Sequence, residues 1–241
     1  MKILLVNDDG FDAVGIKELR KVVEQFGEVY TVAPHVGKSG AGCGLTTFKP
    51  FKVHKVDDRN YRVEGTPVDC VIFAVAHFGK IFDVVISGSN HGFNLSHDIM
   101  YSGTCGGAYQ AIMQGMPAIT FSEDRKDEAW EVKKWGKEVM EFILKNKLLS
   151  TNYYLNVNFP KKEFTESKGI VLTNLYVRTT KYETVSIEND NDYLIGHTHD
   201  DENAPEGSDV YAIRNGYISI TPMSVSTYKP EDLEDLKSKL K

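Results

Sequence analysis

The chain has 241 residues, of which 41% are hydrophobic and 26% are charged, and its formal net charge is −6. These values are ordinary for a globular protein and exclude disordered, fibrous and low-complexity chains. The negative charge argues against binding to a nucleic acid polymer or an anionic membrane, because phosphate groups are bound by clustered lysine and arginine. Three cysteines without a paired motif, no long apolar segment and no signal-peptide core predict a cytoplasmic protein without a disulfide framework.

Strands and helices are predicted to alternate through residues 1–160, which predicts an α/β domain. The continuous apolar run at 3–6 is typical of a strand that is buried on both faces of a parallel sheet. Helical spacing over 15–26 and a second apolar strand at 29–33 complete a unit that favours a parallel crossover. Further predicted β segments are short ones at 51–56 and 61–63 and strands at 82–86, 118–121 and 154–157. A helix is predicted to start at Pro67, because Thr66 is a suitable N-cap and proline fits the first helical position. Two more helices are predicted at 104–114 and 130–148.

Residues 161–241 are predicted to extend this domain at its C-terminal end. Residues 161–215 are more polar than the preceding chain, and strand patterns outnumber helix patterns there. We therefore expect a β-hairpin or an extended arm that contributes to a subunit interface. Residues 217–222 alternate between apolar and polar, which is typical of a half-buried strand, and residues 230–240 are predicted to form an exposed helix.

The clearest candidate site follows the first predicted strand, where the sequence is Asn7-Asp8-Asp9-Gly10. Ligands of open α/β sheets bind beyond the carboxyl ends of the strands. Neighbouring side chains of a strand point to opposite faces, so Asp8 and Asp9 address one ion only if the backbone turns, which Gly10 permits. The alternative is that Asp9-Gly10 is a simple turn and that Asp8 caps the next helix.

Two further polar segments lie near predicted strand and helix ends. Residues 87–94, with the sequence SGSNHGFN, supply small residues and amide side chains, although an ordinary polar loop is the better explanation of this segment taken alone. The turn Ser102-Gly103-Thr104 offers backbone N–H groups, two hydroxyl groups and the positive end of a helix dipole, which suit a phosphate. The alternative for this turn is an ordinary helix N-cap.

Oxygen atoms dominate the candidate ligands. Asp8, Asp9, a serine of the loop 37–42 and Asn90 are all oxygen donors, and such a set favours Mg²⁺, Mn²⁺ or Ca²⁺ over zinc. Neither a P-loop nor a dinucleotide-binding fingerprint occurs in the sequence.

The ordered motifs of the chain are NDDG at 7–10, a Gly/Ser loop with Ser39, GTPVDCV at 65–71, SGSNHGFN at 87–94, DIMYSGT at 98–104 and GYISITP at 216–222. In this order they resemble the survival protein SurE family of metal-dependent nucleotidases. The resemblance implies a Rossmann-like, mostly parallel sheet flanked by helices. It also implies a C-terminal arm that swaps between the subunits of a homodimer or homotetramer.

The resemblance further implies hydrolysis of nucleoside 5′-monophosphates, with 3′-monophosphates and short polyphosphate as further substrates. One divalent ion per subunit is implied, Mg²⁺ or Mn²⁺, and Ca²⁺ could occupy the site. The implied metal ligands are Asp8, Asp9, Ser39 and Asn90. The implied phosphate-binding residues are Ser102, Gly103 and Thr104, and Asn94 belongs to the implied substrate loop. The family usually has glycine where this chain has Ser96 and alanine-like residues where it has Gly106 and Gly107.

Asp8 and Asp9 are the implied catalytic residues, with Asp9 as the general base and the amides at 102–104 stabilising charge on the phosphoryl oxygens. The sequence does not identify an acid for the leaving group. An aspartyl nucleophile is disfavoured because that chemistry requires D-x-D, whereas Asp8 and Asp9 are adjacent. A module that binds nucleotides without hydrolysis is the second hypothesis. We expect Gly103→Val to spare metal affinity, because the implied ligands lie on other loops.

Overall fold

A nine-stranded sheet with helices on both faces forms the body of this computed structural model, which describes residues 1–124, 129–186, 193–226 and 230–239. None of the helices within these ranges is long and apolar enough to cross a membrane. The predicted α/β fold with a mostly parallel sheet and a C-terminal hairpin is confirmed.

The strands are, in chain order, β1 (Lys2–Val6), β2 (Glu28–Pro34), β3 (Val53–Lys55), β4 (Asn60–Val63), β5 (Val84–His91), β6 (Ala118–Glu123), β7 (Tyr153–Asn158), β8 (Ile170–Leu172), β9 (Thr180–Ser186), β10 (Tyr193–His199) and β11 (Ile218–Ser224). The α-helices are α1 (Val14–Val23), α2 (Pro67–Phe78), α3 (Gly103–Met113), α4 (Trp130–Lys145), α5 (Asp209–Arg214) and α6 (Pro230–Ser238). A 3-10 helix, Ser96–Met100, precedes α3.

The order of strands in the large sheet is β3-β4-β2-β1-β5-β6-β7-β11-β8. β4, β2, β1, β5, β6 and β7 pair in parallel with their neighbours, whereas β3 and β11 pair antiparallel with β4 and β7. After β1 the chain builds one half of the sheet through β2, and it then returns to β5 on the other side of β1. The carboxyl ends of β1 and β5 therefore form a topological switch point, where open α/β sheets bind their ligands.

The apolar run of β1 is buried on both faces, as predicted. Ile3 and Leu5 pack in the core beneath α1 and α4, and Leu4 and Val6 pack in a second core beneath α2 and α3. This alternation follows from the two-residue side-chain period of a strand. It makes β1 the central support of the site at its carboxyl end.

Two sequence predictions about element limits and one about burial were wrong. The polar segment 87–91 continues β5 instead of forming a loop, because β6 provides backbone partners there after a register shift between Ser87 and Asn90. The first helix ends at Val23 and not at Phe26. The strand expected to be half-buried, β11, is buried at residues 218–221, where the hydroxyls of Ser219 and Thr221 each lie 2.7 Å from the hydroxyl of Thr173.

Candidate metal and phosphate site

The backbone turns sharply at the end of β1, as the sequence predicts. The side-chain amide of Asn7 donates a hydrogen bond of 2.9 Å to the carbonyl oxygen of Gly10, which has a left-handed φ of 105°. The helix α1 begins only after Ala13, so Asp8 does not cap it, and the alternative interpretation of Asp8 is wrong. The turn leaves both carboxylates at the switch point of the sheet.

Asp8 is the buried carboxylate of the pair, with 3% of its surface exposed. Its Oδ1 accepts a hydrogen bond of 2.5 Å from the hydroxyl of Thr104, which lies in the first turn of α3. Burial raises the pKa of Asp8 above its usual value, the Thr104 hydrogen bond opposes this increase, and the nearby charge of Asp9 adds to it. A positive charge beside Asp8 would therefore favour its ionised form.

Asp9 is held against the end of β5. The backbone N–H of His91 donates a hydrogen bond of 3.1 Å to Asp9 Oδ2, and the His91 Nδ1 atom lies 3.8 Å from the same oxygen. The preceding residue, Asn90, donates its side-chain amide to the carbonyl oxygen of Gly92 at 2.8 Å. The donor end of the Asn90 amide is thus engaged by the residue that directly follows β5. Asp9 and Asn90 lie at the ends of neighbouring strands.

Ser39 lies exposed on the loop 35–44, which the structure fixes at two points. The N–H of Lys38 donates to the backbone oxygen of Asp8 at 2.6 Å, and the N–H of Gly42 donates to the backbone oxygen of Tyr101 at 2.9 Å. A Cβ atom at Gly106 would lie 2.1 Å from the carbonyl oxygen of Gly42. The absence of a side chain at Gly106 therefore lets this loop lie against α3.

The predicted phosphate cradle, defined here as Ser102, Gly103 and Thr104, lies directly beside Asp8. Ser102 is the N-cap of α3, since its hydroxyl accepts the N–H of Cys105 at 3.1 Å, while the Thr104 hydroxyl is bonded to Asp8. A Cβ atom at Gly103 would lie 2.7 Å from the Cβ of Asp8. A side chain at Gly103 would therefore press on Asp8, so the structure does not support the premise that Gly103→Val spares metal affinity.

Asn94 is buried and bonded to the neighbouring strands. Its side-chain amide donates to the Ser122 hydroxyl at 2.7 Å, and its backbone oxygen accepts the side-chain amides of Asn156 and Asn158 at 2.8 and 2.9 Å. The structure thus places Asn94 as an anchor of the loop after β5, with its side chain directed to β6.

The oxygen-rich donor set fits a hard divalent cation. No group of three or more His, Cys, Asp or Glu side chains that could hold a metal ion occurs within the described parts of the chain. A cation at this position would therefore depend on Asp8 and Asp9 together with neutral oxygens, which suits Mg²⁺ or Mn²⁺ and not zinc. The buried Oδ1 of Asn7 also has no hydrogen-bond partner among the residues that the structure describes.

Sequence reasoning missed two contacts of the site. The hydroxyl of Thr104 was assigned to a phosphate but is bonded to Asp8, and the N–H of His91 orients Asp9. No sequence pattern reports either contact, because each one joins the segment after β1 to a distant element, the start of α3 or the end of β5. Asp69 completes a capping box with Thr66 at the start of α2 and also accepts hydrogen bonds from the N–H and the hydroxyl of Thr46 at 2.9 and 2.7 Å.

The family model described as "Survival protein SurE" matches residues 3–182 of the chain. The chain belongs to the SurE family. It is 37% identical over 230 residues to the 5′-nucleotidase SurE of Haemophilus influenzae (strain PittGG), covering 92% of this chain and 91% of that protein. It is 36% identical over 246 residues to the 5′-nucleotidase SurE of Vibrio campbellii, covering 100% of this chain and 95% of that protein.

The SurE assignment extends to the three-dimensional structure. The crystal structure of the SurE protein from Aquifex aeolicus superposes with a TM-score of 0.88 and 34% sequence identity, covering 100% of both chains. The SurE resemblance of the sequence motifs is therefore confirmed over the whole length of the chain. The residues at the carboxyl ends of β1 and β5 and at the start of α3 are those that carry the SurE motifs.

Proposed function

We propose that this SurE-family protein is a metal-dependent phosphomonoesterase that hydrolyses nucleoside 5′-monophosphates to a nucleoside and phosphate. The observation that carries the proposal is the contact of the Asp8 carboxylate with the first turn of α3. It brings a pair of carboxylates together with a helix N-terminus, which binds anions. The similarity to proteins named 5′-nucleotidase SurE supports the choice of a nucleotide as substrate.

Asp8, Asp9, Ser39 and Asn90 would hold one divalent ion, Mg²⁺ or Mn²⁺, with Ca²⁺ able to occupy the same position. When bound, such an ion supplies charge neutralisation for the phosphoryl group and activation of a water molecule. The raised pKa of Asp8 supports this assignment, because a buried carboxylate beside a second one gains stability from a nearby cation.

The residues of the chain provide the remaining parts of the mechanism. The phosphate cradle would orient the phosphoryl group at the positive end of the α3 dipole. Asp9 is better placed than Asp8 to accept a proton from the attacking water, because its side chain is 14% exposed, whereas Asp8 is buried and bonded to Thr104. The His91 N–H would hold Asp9 in position during this step.

Two regions with separate roles accompany this chemistry. We assign catalysis to residues 1–160 and subunit contacts to the arm within 161–241, in a homodimer or homotetramer. β9 and β10 pair with each other and with no other strand of the described chain, and Val177 and Ile195 are exposed. We also assign the protein to a reducing, cytoplasmic setting, because its three cysteines are free thiols.

A phosphate-release screen tests the proposed function. Nucleoside 5′- and 3′-monophosphates and short polyphosphate are incubated with Mg²⁺, Mn²⁺ or excess chelator. We expect 5′-monophosphates to be hydrolysed with metal only, and Asp8→Asn or Asp9→Asn to lower the rate about a hundredfold or more. Asp58→Asn, in an exposed turn with 93% of its side chain accessible, is the control and should match the parent.

The same screen separates the second hypothesis, a module that binds nucleotides without hydrolysis. Such a module would bind nucleotide in equilibrium dialysis and release no phosphate with either metal. Full hydrolysis in chelator, after removal of tightly held metal, would contradict the metal dependence itself.

A further inference from the structure

Arg178 is a buried cation that joins two carboxylates from separate parts of the chain. Its side chain is 5% exposed, and its guanidinium group donates hydrogen bonds to Asp98 and, at 2.8 Å, to Asp201. The Nε2 atom of His199 lies 3.6 Å from the same Asp98 carboxylate. A buried arginine of this kind depends on its partners, because removal of one leaves an uncompensated charge.

The two acids belong to two different segments of the chain, the base of the β9–β10 hairpin and the 3-10 helix before α3. Arg178 precedes β9 by two residues and Asp201 follows β10 by two, so one guanidinium group joins both ends of the hairpin. Asp98 lies in the 3-10 helix Ser96–Met100, which leads directly to the phosphate cradle. The Arg178 cluster, defined as Ser96, Asp98, Arg178 and Asp201, therefore connects the base of the hairpin to the segment before Ser102.

The backbone at Ser96 adds a second connection. Ser96 has a left-handed φ of 53°, a conformation that favours glycine. Its hydroxyl accepts the backbone N–H of Arg178 at 3.1 Å, and its own N–H donates to Asp209 at 3.0 Å. These two hydrogen bonds offset the conformational cost of a serine at this position.

Consecutive backbone hydrogen bonds connect the 3-10 helix, which Arg178 holds in place, to the cradle. The N–H of Tyr101 donates to the carbonyl oxygen of Asp98 at 3.0 Å, and the N–H of Ser102 donates to that of Ile99 at 3.4 Å. The carbonyl oxygen of Tyr101 in turn accepts the N–H of Gly42, in the loop that carries Ser39. A shift of Asp98 would therefore displace both the cradle and this loop.

We propose that Arg178 is a positioning residue for phosphate binding, which fixes the segment 96–101 through Asp98 and Ser96 and so sets the cradle. The inference rests on the proposed function for its kinetic readout. It assigns to the C-terminal region a role in substrate affinity, in addition to any role in subunit contacts. Arg178 does not touch the cradle itself and acts through the 3-10 helix.

Hydrogen–deuterium exchange provides a test that is independent of activity. Arg178→Gln removes the charge, Arg178→Lys keeps the charge but lacks the planar fork of N–H donors that reaches both carboxylates, and Arg59→Gln is the control. Arg59 pairs with Glu28 at the amino end of β2, at the opposite edge of the sheet. We expect exchange over residues 96–104 to be faster than in the parent protein in Arg178→Gln, with a smaller increase in Arg178→Lys. The exchange rate of this segment in Arg59→Gln, and that of β1 in every variant, should equal the rate in the parent.

Kinetics supply the second readout. In Arg178→Gln we expect KM for a nucleoside 5′-monophosphate to rise about tenfold with kcat nearly unchanged, and the Mn²⁺ concentration for half-maximal activity to rise less than KM, because the loop that carries Ser39 shifts with the cradle. Asp98→Asn should have a similar effect, and the double variant should be no worse than the poorer single one. The proposal would be overturned if residues 96–104 exchanged at the same rate in Arg178→Gln as in the parent. It would also be overturned if the effects of Arg178→Gln and Asp98→Asn on KM were additive.

The two proposals fail in different ways. If the parent released no phosphate from any nucleotide, the proposed function would be contradicted, while exchange over residues 96–104 would still decide the role of Arg178. Exchange is then measured with and without inorganic phosphate as the probe, and we expect phosphate to protect this segment in the parent but not in Arg178→Gln. Equal protection in both proteins would contradict the positioning role.

Discussion

The hydroxyl of Thr104 donates a hydrogen bond of 2.5 Å to the carboxylate of Asp8, although 96 positions separate the two residues in the chain. It joins the end of β1 to the first turn of α3. Because Asp8 is buried, this contact is one of the interactions that lower its pKa against the effect of desolvation. The helix that would bind the phosphate therefore also stabilises the carboxylate that would bind the metal.

Substitution of Thr104 tests this coupling. Thr104→Val keeps the shape of the side chain but removes the hydrogen-bond donor. The loss of this hydrogen bond should reduce the favourable free energy of Mn²⁺ binding by about 1–3 kcal/mol and raise the pKa of Asp8 further. We expect weaker Mn²⁺ binding, measured by titration calorimetry at pH 7, with a larger loss at lower pH. Thr104→Ser is the control, because it retains the hydroxyl. Equal Mn²⁺ affinity in Thr104→Val and the parent would show that the hydrogen bond does not support Asp8.

Gly103→Ala tests the close approach of the cradle to Asp8. The added Cβ would lie 2.7 Å from the Asp8 Cβ, so the carboxylate must shift. We expect the Mn²⁺ concentration for half-maximal phosphate release to rise about tenfold, equivalent to about 1.4 kcal/mol. Gly196→Ala is the control, since its Cβ would meet only an oxygen at 3.9 Å. An unchanged metal requirement in Gly103→Ala, with only KM affected, would contradict this prediction.

A buried acid away from the cradle predicts how stability depends on pH. Glu123, at the end of β6, is fully buried, and burial, with a contribution from Glu131, raises its pKa to about 8. Because this value exceeds the usual 4.5, the folded protein binds the proton more tightly than the unfolded chain. Its contribution to stability is complete below about pH 4.5 and is lost as the pH rises through about 8.

Glu123→Gln should remove this dependence. Between pH 5 and pH 8 the free energy of unfolding of the parent should fall relative to that of Glu123→Gln, with a limiting slope of about 1.4 kcal/mol per pH unit. Urea unfolding at several pH values measures the difference. Glu166→Gln, at an exposed position, should follow the parent. A constant difference between parent and Glu123→Gln across this range would rule out the titration of Glu123.

We predict that the protein is at least a dimer, with part of residues 161–215 packed on a partner subunit. The hairpin β9–β10 forms a sheet of its own, and a two-stranded hairpin is marginally stable in water without a surface to pack against. Light scattering at working concentration measures the mass, and a variant that lacks residues 180–199 should have a smaller oligomer. A monomeric mass for the full chain would contradict the prediction.

Most strands and helices could be predicted because their patterns are strong. The apolar run of β1, the helical spacing of α1 and the Thr66-Pro67 start of α2 each correspond to an element in the structure. The extension of β5 through residues 87–91 could not be predicted, since serine, glycine and asparagine have low strand propensity. The strand continues there because β6 lies beside it, and that information is absent from the local sequence.

The site was predictable in position but not in its contacts. Strand ends and the ordered motifs indicated Asp8, Asp9 and the start of α3, and the structure brings Asp8 and α3 into contact. The contact of Gly103 with Asp8 depends on how closely α3 approaches β1, and the role of Ser96 depends on Arg178. Both contacts depend on packing between elements that are distant in the chain, and the spacing of residues in the sequence does not predict such packing.

The position of β11 beside β7 has a consequence for synthesis of the chain. β7 is complete after residue 158, but its antiparallel neighbour consists of residues 218–224, so a nascent chain exposes one edge of the sheet until β11 has emerged. Exposed edges pair readily with other chains. While the residues between the two strands are being synthesised, the free edge of β7 is therefore open to pairing with another chain, and slow codons within this interval would lengthen that exposure.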